Sequence, residues 1–210
     1  MVTDKIPTPS GDQSPFPDQP YLVVGLGNPG REYRFNRHNV GFMAIDTASR
    51  AWGVELNRVQ AKALMSATNF SGRRVILAKP QTFMNLSGQP VSSLLRFYKV
   101  PLENLLVVHD DLDLPVGTLR IRPGGVSAGQ KGLGSIIEKL GTEAFPRLRI
   151  GIGRPPGRMD STDYVLEDFP KAEREIVLQV LERARQAVET FIAAGVVTAM
   201  DQFNGVLTKE

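Results

Sequence analysis

Short apolar runs alternate along most of the chain with segments in which apolar residues recur every three or four positions. The runs are typical of buried β-strands, and the periodic segments are typical of amphipathic α-helices. The predicted strands cover 21–24, 61–70, 73–79, 104–108, 117–122 and 147–152. The predicted helices cover 40–52, a segment around 91–98, 133–140, 171–194 and 196–203.

This order of elements predicts an α/β fold: a single domain with a twisted sheet flanked by helices. Ser71-Gly72 predicts a hairpin between two of the strands, so we expect a mixed, mostly parallel sheet. Ser87 is the expected N-cap of the second helix. Residues 1–19 are rich in Pro, Ser, Asp and Gln and are predicted to form a disordered N-terminal tail. Residues 20–210 are then predicted to form the single folded domain.

Composition narrows the classes of function. The chain has 210 residues, of which 41% are hydrophobic and 22% charged, as is usual for one soluble globular domain. It has no cysteine and two histidines, so we expect no disulfide and no metal site. No apolar stretch approaches the roughly 18 residues of a membrane helix, so we expect no membrane contact. The net charge of +3 permits a polyanionic partner.

The turn Gly25-Leu26-Gly27-Asn28-Pro29-Gly30 matches the GxGxxG pattern of dinucleotide-binding proteins. In those proteins the turn opens directly into a helix that holds the pyrophosphate. Here the polar residues 31–37 follow the turn, and the acidic residue at the expected distance, Asp46, lies within a helix. The sequence therefore argues against a dinucleotide, and we expect no cofactor.

Two candidate catalytic residues follow predicted strands. His38 comes after the first strand and Asp110 after the strand at 104–108. If these strands are parallel neighbours, an imidazole lies beside a carboxylate, which would orient the ring and stabilise its protonated form. No serine has the setting of an activated nucleophile, so the pair predicts a base that activates water. The alternative for His38 alone is a solvated loop histidine.

His109 is a competing base because it adjoins Asp110. Neighbouring residues on a strand point to opposite faces, so we expect only one of the two to face the cleft. A packed structural histidine is the simpler interpretation of His109.

Two amides and a group of cations are candidate binding residues. Asn28 and Asn85 can each donate and accept a hydrogen bond, which suits binding of an amide or carbonyl group, although asparagine is also common in turns. Successive glycines near cations favour phosphate binding, with a solvated basic face as the alternative. The basic residues around Gly124-Gly125 are Arg120, Arg122, Lys131, Lys139, Arg147 and Arg149.

Four motifs occur in this order: VVGLGNPGREYRFNRHNVGF, KPQTFMNLSG, VVHDDLDLPVG and RLRIGIGRPP. With them the chain resembles the bacterial-type peptidyl-tRNA hydrolases over about 21–205. The resemblance implies a cytoplasmic, monomeric, metal-independent enzyme. Such an enzyme cleaves the ester between a peptide and the 3′ ribose of tRNA, releasing tRNA for reuse in translation.

The resemblance also implies residue roles. His38 would be the general base, Asp110 its supporting carboxylate, and Asn28 a contact to the peptide portion. Arg122 and Arg149 would bind the tRNA 5′ phosphate beside the acceptor end. The other implied substrate-site residues are Tyr33, Phe83, Met84 and Asn85.

The chain departs from the family at one motif, because Gly129-Gln130-Lys131-Gly132 stands where the family commonly has Gly-His-Asn-Gly. Lys131 can stabilise developing negative charge, but it cannot accept a hydrogen bond from the attacking water. This substitution motivates a second hypothesis, a non-catalytic RNA-binding protein on the same scaffold, as in family members recruited to splicing.

Overall fold

An eight-stranded mixed sheet carries helices on both faces in residues 19–207, the part of the chain that the computed structural model describes. Residues 1–18 of the predicted tail lie outside the described residues. The strands are β1 Tyr21–Gly25, β2 Arg58–Gln60, β3 Ala63–Phe70, β4 Arg73–Pro80, β5 Leu105–Asp111, β6 Thr118–Arg122, β7 Arg147–Gly151 and β8 Gly205–Val206. The helices are α1 Val40–Ala51, α2 Gly88–Tyr98, α3 Lys131–Leu140, α4 Ser161–Val165 and α5 Arg174–Phe203.

The strand order is β2-β3-β4-β1-β5-β7-β6-β8. The four central strands, β4, β1, β5 and β7, are parallel, and the outer strands on both sides are antiparallel. This confirms the predicted mixed sheet. Ser71 and Gly72 form the turn of the β3–β4 hairpin with positive φ at both residues (49° and 75°), as a tight two-residue hairpin turn requires.

Alternating side chains divide the core into two layers. In β1, Val23 packs into the layer beneath α1 and α5, whereas Leu22 and Val24 pack into the layer beneath α2 and α3. Both layers are needed because the central strands are apolar on both faces. The site lies at the carboxyl ends of these strands.

Two strand boundaries differ from the sequence prediction by two residues or more. The strand predicted at 61–70 begins at Ala63, because Ala61 and Lys62 both have positive φ and turn the chain back from β2. The strand predicted at 104–108 continues to Asp111, so Asp110 lies on β5 rather than after it.

Ser87 is not a side-chain N-cap. A short 3-10 helix, Met84–Leu86, leads into α2, so Ser87 is already helical and its hydroxyl donates to the Met84 carbonyl oxygen at 2.8 Å. The predicted break between the last two helices is present as a non-helical Gly195 within α5.

Helix α1 begins in direct contact with the sheet backbone. A Cβ atom on Gly41 would lie 2.4 Å from the Val108 carbonyl oxygen, and one on Gly25 would lie 2.2 Å from the Gly41 carbonyl oxygen. Real Cβ atoms do not approach so closely, so glycine is required at both positions. This contact brings His38, just ahead of α1, to the end of β5.

We predict that Gly41→Ala lowers the free energy of unfolding by about 1–3 kcal/mol, because the added methyl group must push α1 off β5. Urea denaturation measures the change. Gly134→Ala in α3 is the matched control, since its Cβ would meet only Ser127, at an ordinary 3.8 Å. That variant should be neutral or stabilised by up to about 1 kcal/mol. Equal losses in both variants would contradict the packing argument.

Candidate active site

A cavity of about 1210 Å³ opens at the carboxyl ends of the central strands. Its wall is built from the loops that follow β1, β4, β5 and β6, together with the segment around α4. The predicted site residues that line it are Asn28, His38, Phe83, Met84, Asn85, Asp110, Arg122, Lys131 and Arg149.

Tyr33 does not line this cavity, in contrast to its predicted role. It is half-buried in the turn before His38, where its carbonyl oxygen accepts the Asn36 N–H at 3.0 Å.

His38 and Asp110 form a hydrogen-bonded pair. His38 Nδ1 lies 2.8 Å from Asp110 Oδ2, and the two side chains are 12% and 4% exposed. Because the carboxylate accepts, Nδ1 carries the proton and Nε2 is left with its lone pair. The pair therefore presents an oriented imidazole base in the cavity.

The electrostatics favour an ionised Asp110. Burial alone would raise the pKa of Asp110. The electrostatic interaction with His38 and the hydrogen bonds from His38 and Gln130 outweigh burial, so the pKa of Asp110 lies below its ordinary value of 3.8. A carboxylate is thus retained beside His38 at neutral pH.

The segment that carries His38 is anchored from distant parts of the chain. Arg37 is buried, pairs with Glu173 at 2.7 Å and lies 4.4 Å above the Tyr164 ring. Asn36 Nδ2 donates to Asp168 Oδ1 at 2.9 Å. Sequence reasoning missed these anchors, because the partners are more than 120 positions away and nothing in the local pattern indicates them.

Asn28 is held in one orientation. Asn39 accepts the Asn28 backbone N–H at 2.8 Å and donates back to the Asn28 carbonyl at 2.9 Å. The Asn28 side-chain oxygen accepts the Met84 N–H at 2.9 Å, so its NH₂ group is left to donate to a ligand. Asn39 is a second residue that sequence reasoning missed.

The loop after β4 presents both polar and apolar groups. Asn85 is exposed, and Phe83 is 60% exposed at the cavity wall, whereas Met84 is buried. The exposed pair can therefore meet a ligand, and Met84 contributes mainly its backbone N–H and packing.

The predicted basic cluster divides into structural and accessible cations. Arg147 is fully buried, and its guanidinium donates to the carbonyl oxygens of Glu143, at 2.7 Å, and Gly125. Burial lowers the pKa of Arg147, and its role is to hold the glycine loop. Arg120 and Lys139 do not line the cavity. The cations that line it with exposed or half-exposed side chains are Arg122, Lys131, Arg149 and Arg154.

His109 borders the cavity together with Asp110, although strand alternation predicted only one of them there. His109 is only 2% exposed, and its Nδ1 lies 2.7 Å from the Asp110 carbonyl oxygen. Burial lowers its pKa below the ordinary 6.5, so His109 is a neutral packed histidine.

Within residues 19–207, no group of three or more His, Asp or Glu side chains is arranged to hold a metal ion. Among the same residues, no helix has the length and apolar character needed to cross a bilayer.

Comparison with known proteins gives a consistent result. The family model described as "Peptidyl-tRNA hydrolase" matches residues 22–210. The peptidyl-tRNA hydrolase of Caldanaerobacter subterraneus subsp. tengcongensis is 50% identical over 185 residues, which cover 88% of this chain and 100% of that protein. That of Frankia casuarinae is 46% identical over 194 residues, covering 92% and 98%.

Solved structures agree. The crystal structure of peptidyl-tRNA hydrolase from Acinetobacter baumannii superposes with a TM-score of 0.84 at 33% sequence identity, over 93% of this chain and 98% of that chain. A peptidyl-tRNA hydrolase complex with N-propanol gives a TM-score of 0.85 at 33% identity, over 94% and 100%.

The lowered pKa of His109 should make the free energy of unfolding depend on pH. Below about pH 6.5 the unfolded chain takes up a proton at His109 that the folded protein does not bind. The free energy of unfolding therefore decreases as the pH is lowered. The slope reaches up to about 1.4 kcal/mol per pH unit. Urea unfolding between pH 7.5 and 5.5 should show a smaller fall for His109→Asn, which keeps an N–H donor. Parallel curves for the two proteins would contradict the assignment.

Proposed function

Because the chain belongs to the peptidyl-tRNA hydrolase family, we propose that its cavity binds peptidyl-tRNA and hydrolyses the ester between the peptide and the 3′ ribose. The observation that carries this proposal is the His38–Asp110 pair, with a bond of 2.8 Å, bordering a cavity with several cations. The chain is thus a carboxylic ester hydrolase that releases tRNA for reuse.

The reaction begins with a water molecule beside His38. As the water oxygen attacks the ester carbonyl, Nε2 takes up its proton, and Asp110 stabilises the imidazolium that forms. Collapse of the tetrahedral intermediate breaks the bond to the 3′ oxygen of the ribose, which receives the proton from His38. Water is the only co-substrate, so this chemistry needs no cofactor.

The neighbouring groups have complementary roles. Asn28 donates its NH₂ group to a carbonyl of the peptide portion, while Asn85 and Phe83 contact the adjoining peptide. Lys131 is the first residue of α3 and is exposed at the cavity wall. Its charge and the positive end of the helix dipole stabilise the oxyanion.

The tRNA portion is bound by the accessible cations. Arg122 is exposed, and Arg149 is held at its Nε by Asp111, which leaves its terminal nitrogens to donate to a phosphate. These two residues bind the 5′ phosphate beside the acceptor end. We expect the enzyme to act as a monomer in the cytoplasm, where its substrate is made.

Replacing His38 tests the base. His38→Ala should lower the release of tRNA from N-acetyl-aminoacyl-tRNA by roughly 10²–10⁴-fold. His38→Asn is the matched variant: it keeps an N–H for Asp110 and removes only the base, so the loss should be similar. tRNA binding by both variants should persist. Near-normal turnover in both would refute the assignment. Tight tRNA binding by the parent protein without release would support the non-catalytic RNA-binding alternative.

Replacing Arg122 tests the phosphate contact. Arg122→Gln should weaken tRNA binding and reduce the slope of log K against log salt concentration by roughly 1, because one fewer counterion is released. Arg122 is a cleaner choice than Arg149, whose loss would leave the buried Asp111 unpaired. Arg96→Gln, an equal change of charge at an exposed site on α2, is the control. An unchanged slope for Arg122→Gln would exclude this contact.

A further inference from the structure

Gln130 lies immediately before α3, and its side-chain amide bonds to three parts of the protein. Its Oε1 accepts the Leu133 N–H at 2.6 Å and so caps the helix. Its Nε2 donates to Asp110 Oδ1 at 3.0 Å and lies 3.3 Å from Met84 Sδ. The carbonyl oxygen and both amide hydrogens are therefore directed at protein atoms.

The contact to Asp110 completes the bonding of that carboxylate. One oxygen of Asp110 is bonded to His38, and the other is bonded to Gln130. A carboxylate held at both oxygens cannot rotate about its Cβ–Cγ bond without breaking a charge-assisted hydrogen bond. The plane that Asp110 offers to the imidazole is thereby fixed.

We propose that Gln130 is a positioning residue of the hydrolase, one that holds Asp110 in the orientation that His38 needs and ties it to the start of α3. The proposal rests on the proposed function, since it assigns Gln130 a role in the same reaction. Lys131 follows Gln130 directly, so the same amide holds the stretch of backbone from which the Lys131 side chain extends.

The surroundings of Gln130 leave it little freedom. A Cβ on Gly132 would lie 2.5 Å from Met84 Sδ and 3.2 Å from Gln130 Oε1, so the glycine makes the room in which the amide and the thioether meet. Met84 also donates its N–H to the side chain of Asn28. The Gln130 amide therefore links Asp110, through Met84, to Asn28 on the peptide-binding side of the site. Gln130 acts through these residues and not on the substrate.

The Gln130 amide differs from the other polar groups around Asp110 because it carries no charge at any pH. The titratable and charged groups near Asp110 are His38 before α1, His109 and Asp111 on β5, and Arg149 on β7. Gln130 adds a donor without adding a charge, and an amide donates at every pH. A carboxylate in its place could still cap α3 but would repel Asp110 at neutral pH.

Gln130→Glu separates the two contacts, because glutamate keeps the helix cap and loses the donor to Asp110. We expect kcat on N-acetyl-aminoacyl-tRNA to fall about 10–100-fold, the scale of a lost hydrogen bond to a charged group. KM should change little. The added negative charge favours the protonated pair, so the acidic limb of the pH–rate profile should move to higher pH.

Two further variants complete the experiment. Gln89→Glu makes the same chemical change at an exposed site in the first turn of α2 and should leave kcat and the profile as in the parent protein. Gln130→His carries a ring N–H at position 130 and should recover part of the lost kcat relative to Gln130→Glu. Urea unfolding of Gln130→Glu should match the parent at neutral pH if the cap is kept.

The outcomes are distinguishable. An active parent protein together with a Gln130→Glu variant of unchanged kcat and pH profile would overturn the role of Gln130 alone. A fall in kcat with an unmoved profile and an equal fall in Gln89→Glu would indicate a general charge effect and would also overturn it. A parent protein that releases no tRNA would overturn the proposed function and this inference with it.

Discussion

The hydrogen bond between His38 and Asp110 joins residues 72 positions apart, and much of the fold serves to make it short. It requires β1 and β5 to be parallel neighbours and α1 to rest on their backbone through Gly25 and Gly41. A methyl group at either glycine would clash with backbone atoms and push the helix away from the sheet. Backbone packing, and not side-chain chemistry alone, therefore sets the geometry of the proposed base.

The arginines near the cavity have two kinds of role, one structural and one accessible to a ligand. Arg147 is buried under carbonyl oxygens and shapes the glycine loop, whereas Arg122, on the neighbouring strand, is exposed at the cavity. Arg37 is likewise buried, where it pairs with Glu173 and packs against the rings of Tyr164 and Phe169. Burial decides which guanidinium groups are available to a polyanion, so a count of basic residues overestimates the binding surface.

The sequence was sufficient to predict the mixed sheet and the meeting of His38 with Asp110, because apolar periodicity and strand ends depend on local pattern. The catalytic and binding roles stay predictions. The anchors of the His38 segment could not be predicted, since Arg37 and Asn36 bond to partners that only the tertiary fold brings near. Gln130 was visible only as a departure from a motif. Tyr33 is not among the residues that line the cavity, and its expected contact with the substrate stays a prediction.

The attachment of Arg37 to residues 152 and 173 has a consequence for biosynthesis. The ribosome makes the His38 segment early, yet the carbonyl of Ile152, the ring of Tyr164 and the carboxylate of Glu173 emerge much later. Until they do, these contacts of Arg37, the residue before His38, cannot form. The His38 segment of a nascent chain therefore acquires its full set of tertiary contacts only after residue 173 has been synthesised.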